Sequence, residues 1–282
     1  MPETVLRWSP QIKEVAGQYG VDPDLIAVMV LCESGGAHSA VSHAGAIGLM
    51  QVLPMNAPGK NLFIPEVNLT AGVDYLVQQY NNFRKNWKEA ILAYNGGPGN
   101  VKKNTIPLEA KSYLKWVSGM WGETGSEESP TFKNWVERGS WLLDHAKEVF
   151  ENKTRLKVVE FATQQWGKSY SLGGKGPEEW DCSGLASAAY ECAGVSIPRT
   201  ANEQWEQTGR LLSDEEKILP GDLVFFGERT AGHVGIIIWS PYKTFIEANG
   251  QVGQVRVSSL DSRSKIYRQD LAKRVLGFKR VV

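Results

Sequence analysis

The run Asp181-Cys182-Ser183-Gly184-Leu185 lies between a glycine-rich segment, Gly173-Gly174-Lys175-Gly176-Pro177, and a run of small residues from Ala186 to Ala193. Aspartate is a strong N-cap residue and glycine a common terminator, so Asp181 and Gly194 frame a helix. Cys182 then stands at or beside the helix N-terminus, where unpaired N–H groups and the positive end of the dipole favour a thiolate. A thiolate is the nucleophilic form of cysteine. A lone cysteine is ordinarily a buried apolar residue. Here tight glycine turns ahead of an apolar helix leave that helix end exposed.

Beyond Pro220-Gly221-Asp222 the pattern changes to short runs rich in Val, Ile and Phe: Leu223 to Phe226, His233 to Trp239, Thr244 to Ala248, Gln254 to Val257, and a last one near Leu276 to Val281. Short connections predict an antiparallel β-meander that follows helices such as Thr154 to Trp166, an α+β arrangement. His233 is expected to open a strand after a flexible Gly227 to Gly232 segment. That position suits the general base of a cysteine nucleophile. Glu247 is the candidate to orient the imidazole. Because side chains alternate, it shares a face with His233 only if the connection has an odd length or carries a bulge. Asn249 is on the same face as Glu247 and is the reserve candidate. Cys192, on another helical face from Cys182, is expected in the core.

Tyr170 with Gly173-Gly174, Asp181 to Leu185, Pro198-Arg199, Pro220-Gly221-Asp222-Leu223-Val224-Phe225-Phe226 and His233-Val234-Gly235-Ile236 resemble the NlpC-type, papain-like cell-wall cysteine peptidases over about residues 150 to 282. The resemblance implies hydrolysis of a peptidoglycan stem-peptide amide, typically between D-glutamate and the diamino acid. Cys182 would attack and His233 would act as base. The backbone around Cys182 and Ser183, with Tyr170, would stabilise the oxyanion. The family's third position is commonly histidine, whereas Glu247 occupies it here.

Upstream, Ser9-Pro10 and Asp22-Pro23 read as helix starts, with Gly20 and Gly35-Gly36 as stops. The second helix is apolar nearly all round and is therefore expected to be buried. Glu33 closes it. Desolvation and the negative end of the dipole both disfavour a carboxylate there, which suits a proton donor. Glu33-Ser34-Gly35-Gly36, Ala46-Ile47-Gly48-Leu49-Met50-Gln51, Asn68-Leu69-Thr70-Ala71-Gly72 and Ala93-Tyr94-Asn95-Gly96-Gly97 resemble the SLT-type lytic transglycosylases, relatives of goose-type lysozyme, over roughly residues 8 to 117. That resemblance implies an all-α lysozyme-like domain cutting between N-acetylmuramic acid and N-acetylglucosamine. Glu33 would be acid and then base, and Gln51, Tyr94 and Asn95 would line the sugar subsites. No motif marks a second carboxylate among Glu66, Asp74 and Glu89, which suits attack by the substrate's own 6-hydroxyl to give a 1,6-anhydro end. A hydrolysing muramidase is the alternative. His38 and His43 read as exposed loop residues.

The expected organisation is a glycan-cleaving domain at 1–118, a flexible acidic linker at 119–131, and a connecting helix with the peptidase domain at 132–282. Trp135 and Trp141 are expected to pack along the connecting helix. Lys and Arg together number 31, as do Asp and Glu, so charge points to no nucleic-acid partner. Three scattered cysteines suggest neither a disulfide framework nor a metal site, and no cofactor is expected. No apolar run reaches the roughly 18 residues of a membrane span. The expected partners are peptidoglycan glycan strands and stem peptides, with a phage tail or conjugation apparatus as the setting. The first residues lack the basic and apolar regions of a secretory signal. Action at the cell wall or from a virion is the expectation. A wall-binding component with one site inactive is the rival reading.

Overall fold

A computed structural model describes the backbone of residues 1–121 and 130–282 and the side chains of 1–121 and 141–282. It divides into two compact units, Met1–His38 with Gly48–Ala146, and Ser39–Ile47 with Lys147–Val282.

The first unit is helical. Its principal helices are α1 (Ser9–Tyr19), α2 (Pro23–Ser34), α3 (Pro65–Asn82), α4 (Trp87–Gly96) and α5 (Leu108–Met120). Asp22 caps α2 by accepting from Asp24 N–H at 2.9 Å, Pro23 fills the first helical position, and Gly35 ends the helix in the left-handed region at φ 64°. Leu25, Ile26, Met29 and Val30 are fully buried, as expected of a helix without a polar face. A long helix, α6 (Pro130–Glu151), follows. Gly119 and Met120 still belong to α5, Trp121 caps it and Pro130 opens α6, while residues 122–129 of the expected linker lie outside the described residues. So does the Trp135 side chain. Trp141 is 41% exposed, and its ring lies along α6 against that of His145.

The second unit is α+β. Helices α7 (Lys153–Gln164), α8 (Cys182–Cys192) and α9 (Ala201–Gln207) accompany an eight-stranded sheet. Its strands are β1 (Ser169–Tyr170), β2 (Glu179–Trp180), β3 (Arg210–Leu211), β4 (Leu223–Gly227), β5 (Ala231–Trp239), β6 (Thr244–Asn249), β7 (Gln254–Ser259) and β8 (Val275–Arg280), in the order β2-β1-β7-β6-β5-β4-β8-β3. The run β4 to β7 is an antiparallel meander, while the edge pair β1–β2 is parallel. All five residues of β4 and all six of β6 are buried. Strands covered on both faces read as continuous apolar runs, which is why alternation is faint in the sequence. Val224, Phe226, Ile237 and Phe245 form a cluster closed by Leu271.

Two expectations need correction. The β5 strand begins at Ala231, so His233 is its third residue, and only Glu228 to Thr230 separate it from β4. Gly227 pairs with Ala231 past a bulge, a tight hairpin where a longer flexible segment was expected. Cys192 is exposed, being at the C-terminal end of α8.

Candidate active sites

In the first unit, three motifs that are far apart in sequence hold one loop. Buried Asn68 accepts from Met50 N–H at 2.8 Å and donates to the Leu62 carbonyl at 2.9 Å. The Tyr94 hydroxyl donates to the Met50 carbonyl at 2.7 Å. Ser34 Oγ donates to the Leu49 carbonyl at 2.9 Å, tying the end of α2 to the same loop. The glycines are required by close approach: a Cβ on Gly48 would sit 2.3 Å from Asn68 Nδ2, and one on Gly72 would sit 2.6 Å from Met50 Sδ. The loop thus presents Gln51, half-buried and in the left-handed region at φ 48°, with its amide donating to the Gly48 carbonyl at 3.0 Å.

Glu33 is half-buried in the last turn of α2. Tyr94 on α4 and Tyr113 on α5 both feel its charge. Burial first, and then the Glu33 carboxylate, push each phenol well above its ordinary value. The Tyr75 ring lies 5.5 Å from that of Tyr94. Asn95 is exposed, one residue on. Tyr113 carries no sequence signal of its own, being one aromatic on an amphipathic helix. The candidate second carboxylates are engaged elsewhere or exposed: Glu66 accepts from Gln11, Asp74 accepts from Gln78, and Glu89 is exposed in the first turn of α4. His38 is buried, contrary to the exposed-loop expectation. Burial, and then the charge of Arg7, lower its pKa to about 4. His43 is half-buried.

In the second unit, Asp181 caps α8 by accepting from Gly184 N–H at 2.6 Å, and its other oxygen accepts from Gly173 N–H at 2.9 Å. The Arg199 guanidinium spans both carboxylate oxygens at 3.0 and 2.6 Å and reaches the Gly174 carbonyl at 3.2 Å. Burial raises the Asp181 pKa, but the Arg199 and backbone hydrogen bonds outweigh it and leave a net lowering. Gly184 meets the glycine turn so closely that a Cβ there would be 2.1 Å from the Gly174 carbonyl oxygen. These contacts fix the helix end on which Cys182 begins. Ser183 is buried, its hydroxyl held by Arg199 at 3.0 Å and Asp181 at 3.3 Å. Half-buried Tyr170 lies close enough to Cys182 that its phenol is pushed up, by burial first and by the Cys182 charge second.

The residue that meets Cys182 is His233. Burial pushes the thiol up, but the hydrogen bond and charge of His233 and the Val234 N–H reverse this, leaving the thiol below its ordinary value. For His233, burial alone would lower the pKa; the hydrogen bonds to Cys182 and Glu247 win and raise it to about 9. The pair therefore favours thiolate and imidazolium together. His233 Nε2 is 2.5 Å from Glu247 Oε2, which leaves Nδ1 for the sulfur.

That pairing depends on register. Ile236 pairs with Ile246 and Ile237 with Phe245, but Trp239 pairs with Thr244, so one residue bulges between them. The bulge sets Glu247 opposite Gly235, on the face of His233, meeting the condition that alternation imposed. Asn249 is used in the following turn, accepting from Gln251 and Val252 N–H at 2.9 and 3.1 Å. Glu247 is fully buried and takes two further donors, Ser258 Oγ at 2.6 Å and Arg268 Nη1 at 2.8 Å. Neither was singled out from sequence, since each lies in a segment without a motif. Among the described residues no cluster of three or more His, Cys, Asp or Glu could hold a metal ion, and no helix is long and apolar enough to cross a membrane.

Residues 10–117 match the transglycosylase SLT domain family and residues 167–274 the NlpC/P60 family. The bifunctional muramidase/DL-endopeptidase CwlT of Bacillus subtilis is 29% identical over 254 residues, covering 83% of this chain and 73% of that protein. A transglycosylase of enterobacteria phage PRD1 is 30% identical over 132 residues, covering 44% of this chain and 48% of its own. Among solved structures, a Staphylococcus aureus protein described as similar to lipoprotein, NLP/P60 family, aligns over 100% of this chain and 98% of its own at 23% identity and a TM-score of 0.39.

Proposed function

With a transglycosylase SLT domain and an NlpC/P60 domain on one chain, we propose a bifunctional cell-wall hydrolase whose two sites cut the two kinds of bond in peptidoglycan. The name of the Bacillus relative supports the pairing of the two activities, and that of the phage relative supports the glycan-cleaving half. The observation that carries the peptidase half is the hydrogen-bonded chain from Cys182 through His233 to Glu247 at the start of α8.

Cys182 attacks the amide carbonyl carbon as a thiolate. The oxyanion that forms is met by N–H groups at the head of α8 and by Tyr170. Imidazolium His233 then gives its proton to the leaving amine, and a thioester remains. Water, deprotonated by His233, cleaves that thioester and restores the thiolate. Glu247 holds the imidazole ring and balances its charge throughout. The bond we assign is the stem-peptide amide between D-glutamate and the diamino acid. Replacing Glu247 with alanine is expected to lower peptide turnover by roughly 10³–10⁴, as loss of the orienting carboxylate does in related triads. Near-normal turnover would move the orienting role to Asn249 or to water.

In the first unit we assign Glu33 as the acid that protonates the glycosidic oxygen and then as the base for the second step. Gln51, Tyr94 and Asn95 face the sugars. The three other candidate carboxylates are exposed or engaged elsewhere, which supports attack by the 6-hydroxyl and a 1,6-anhydro product. The muramidase name of the Bacillus relative supports water as the attacking group instead. Mass spectrometry of the released ends decides: anhydro ends fit the first reading, and reducing muramic ends sink it. We place the work at the cell wall, in the service of a phage tail or conjugation apparatus.

A further inference from the structure

The side chains around Glu247 point to Arg268 as a positioning residue of the peptidase site, and we propose that it sets the proton affinity of His233 by sharing the Glu247 carboxylate. This rests on the reading of Cys182, His233 and Glu247 as the peptide-cleaving site. A carboxylate in the third position carries a full negative charge where the family commonly has a neutral ring. Buried beside an imidazole with no other cation, it would hold the imidazolium so firmly that the proton is poorly released to the leaving amine.

The arrangement around Glu247 divides that charge. Oε2 faces His233 Nε2 at 2.5 Å, while Oε1 accepts from Arg268 Nη1 at 2.8 Å and Ser258 Oγ at 2.6 Å. Arg268 is itself fixed. Its Nε and Nη2 reach Asp270 at 2.8 and 2.7 Å, Nη2 also reaches Gln251 at 3.3 Å, and its N–H donates to the Ser259 carbonyl at 3.0 Å. Only 12% of its side chain is exposed. A cation held this firmly beside a fully buried carboxylate is a built part of the site.

Other charged groups stand near the pair. On α8, Cys182 faces His233, and the Asp181 charge opposes the thiolate. On β7, Arg256 stands opposite Glu247 in register and bonds to neither of its oxygens. Among the described residues, Arg268 is the cation that forms an ion pair with Glu247 beside His233.

The test uses the full-length chain on purified peptidoglycan, with peptide release and Cys182 alkylation both followed against pH. Arg268→Gln is expected to lower the plateau of peptide release about tenfold, the effect of losing one hydrogen bond to a buried charge. It is also expected to move the alkaline limb upward by about one pH unit, because Glu247 then serves His233 alone. Arg268→Lys keeps the charge and should restore most of the limb's position. In a Glu247→Gln background, Arg268→Gln should no longer shift the limb. A lower plateau with an unmoved limb, in a variant whose thermal melt is intact, would show Arg268 to be merely structural and overturn the proposal. If Arg268→Gln fails to fold, Arg268→Met takes its place in both backgrounds: an alkaline limb moved upward beside Glu247 and unmoved beside Glu247→Gln supports coupling through Glu247, and a limb unmoved in both, or moved equally in both, contradicts it. No peptide release by the wild type would instead count against the site reading on which this stands.

Discussion

At the scale of single residues, Cys182 and His233 each favour the charged form of the other. Because the thiol lies below and the imidazole above its ordinary value, there is a pH window in which the ion pair predominates, and its upper edge is the His233 value of about 9. Alkylation of Cys182 by iodoacetamide should accordingly titrate well below the free-thiol value of ~8.5. Peptide cleavage should hold to about pH 9 and fall above it, as the imidazolium loses the proton that the leaving amine needs. An alkylation profile like that of a free thiol would remove the activation. The same sign applies to stability: the raised His233 contributes most below its unfolded value and loses that contribution as pH rises through about 9. In the other unit, Tyr113 places a buried hydroxyl against the charge of Glu33. Tyr113→Phe should lower glycan release about tenfold, the worth of one polar contact to a charged group. Peptide release should stay at the wild-type rate; equal loss of both would mean a folding defect.

At the scale of elements, the N-terminus of α8 and the loop at Gly48 to Gln51 do the positioning, and they were unequally legible. Asp181, Gly184 and the glycine turn could be read because capping and chain reversal demand particular residue types in adjacent positions. The face of Glu247 could only be stated as a condition. A bulge between Ile237 and Trp239 satisfies it, and nothing in Ile236-Ile237-Ile238-Trp239 marks which residue will be extruded. Ser258 and Arg268 were invisible for a related reason, since a buried carboxylate draws donors from wherever the chain returns past it. His38 was misread because a polar loop residue gives no sign that its loop is covered. Close packing at the helix end yields a prediction. Gly184→Ala puts a Cβ 2.1 Å from the Gly174 carbonyl oxygen. It should cost about 1–3 kcal/mol of second-unit stability in chemical denaturation. Peptide cleavage should be lost well before the fold is, because Cys182 moves with the helix end. A variant with wild-type stability and turnover would refute the tight fit.

At the scale of the molecule, the proposed function puts two chemically unrelated cutting sites on one chain, one acid–base and one nucleophilic, aimed at the same polymer. Both candidate sites are legible in local pattern because each is announced by contiguous motifs, whereas composition, with balanced charge, points to no partner. The most direct measurement is mass spectrometry of the fragments released from purified peptidoglycan by wild type, Cys182→Ala and Glu33→Gln. Cys182→Ala should still release glycan fragments but no cut stem peptides. Glu33→Gln should do the reverse, and the wild type should yield fragments cut at both bonds. Loss of both products in either variant, with its fold intact, would contradict two independent sites.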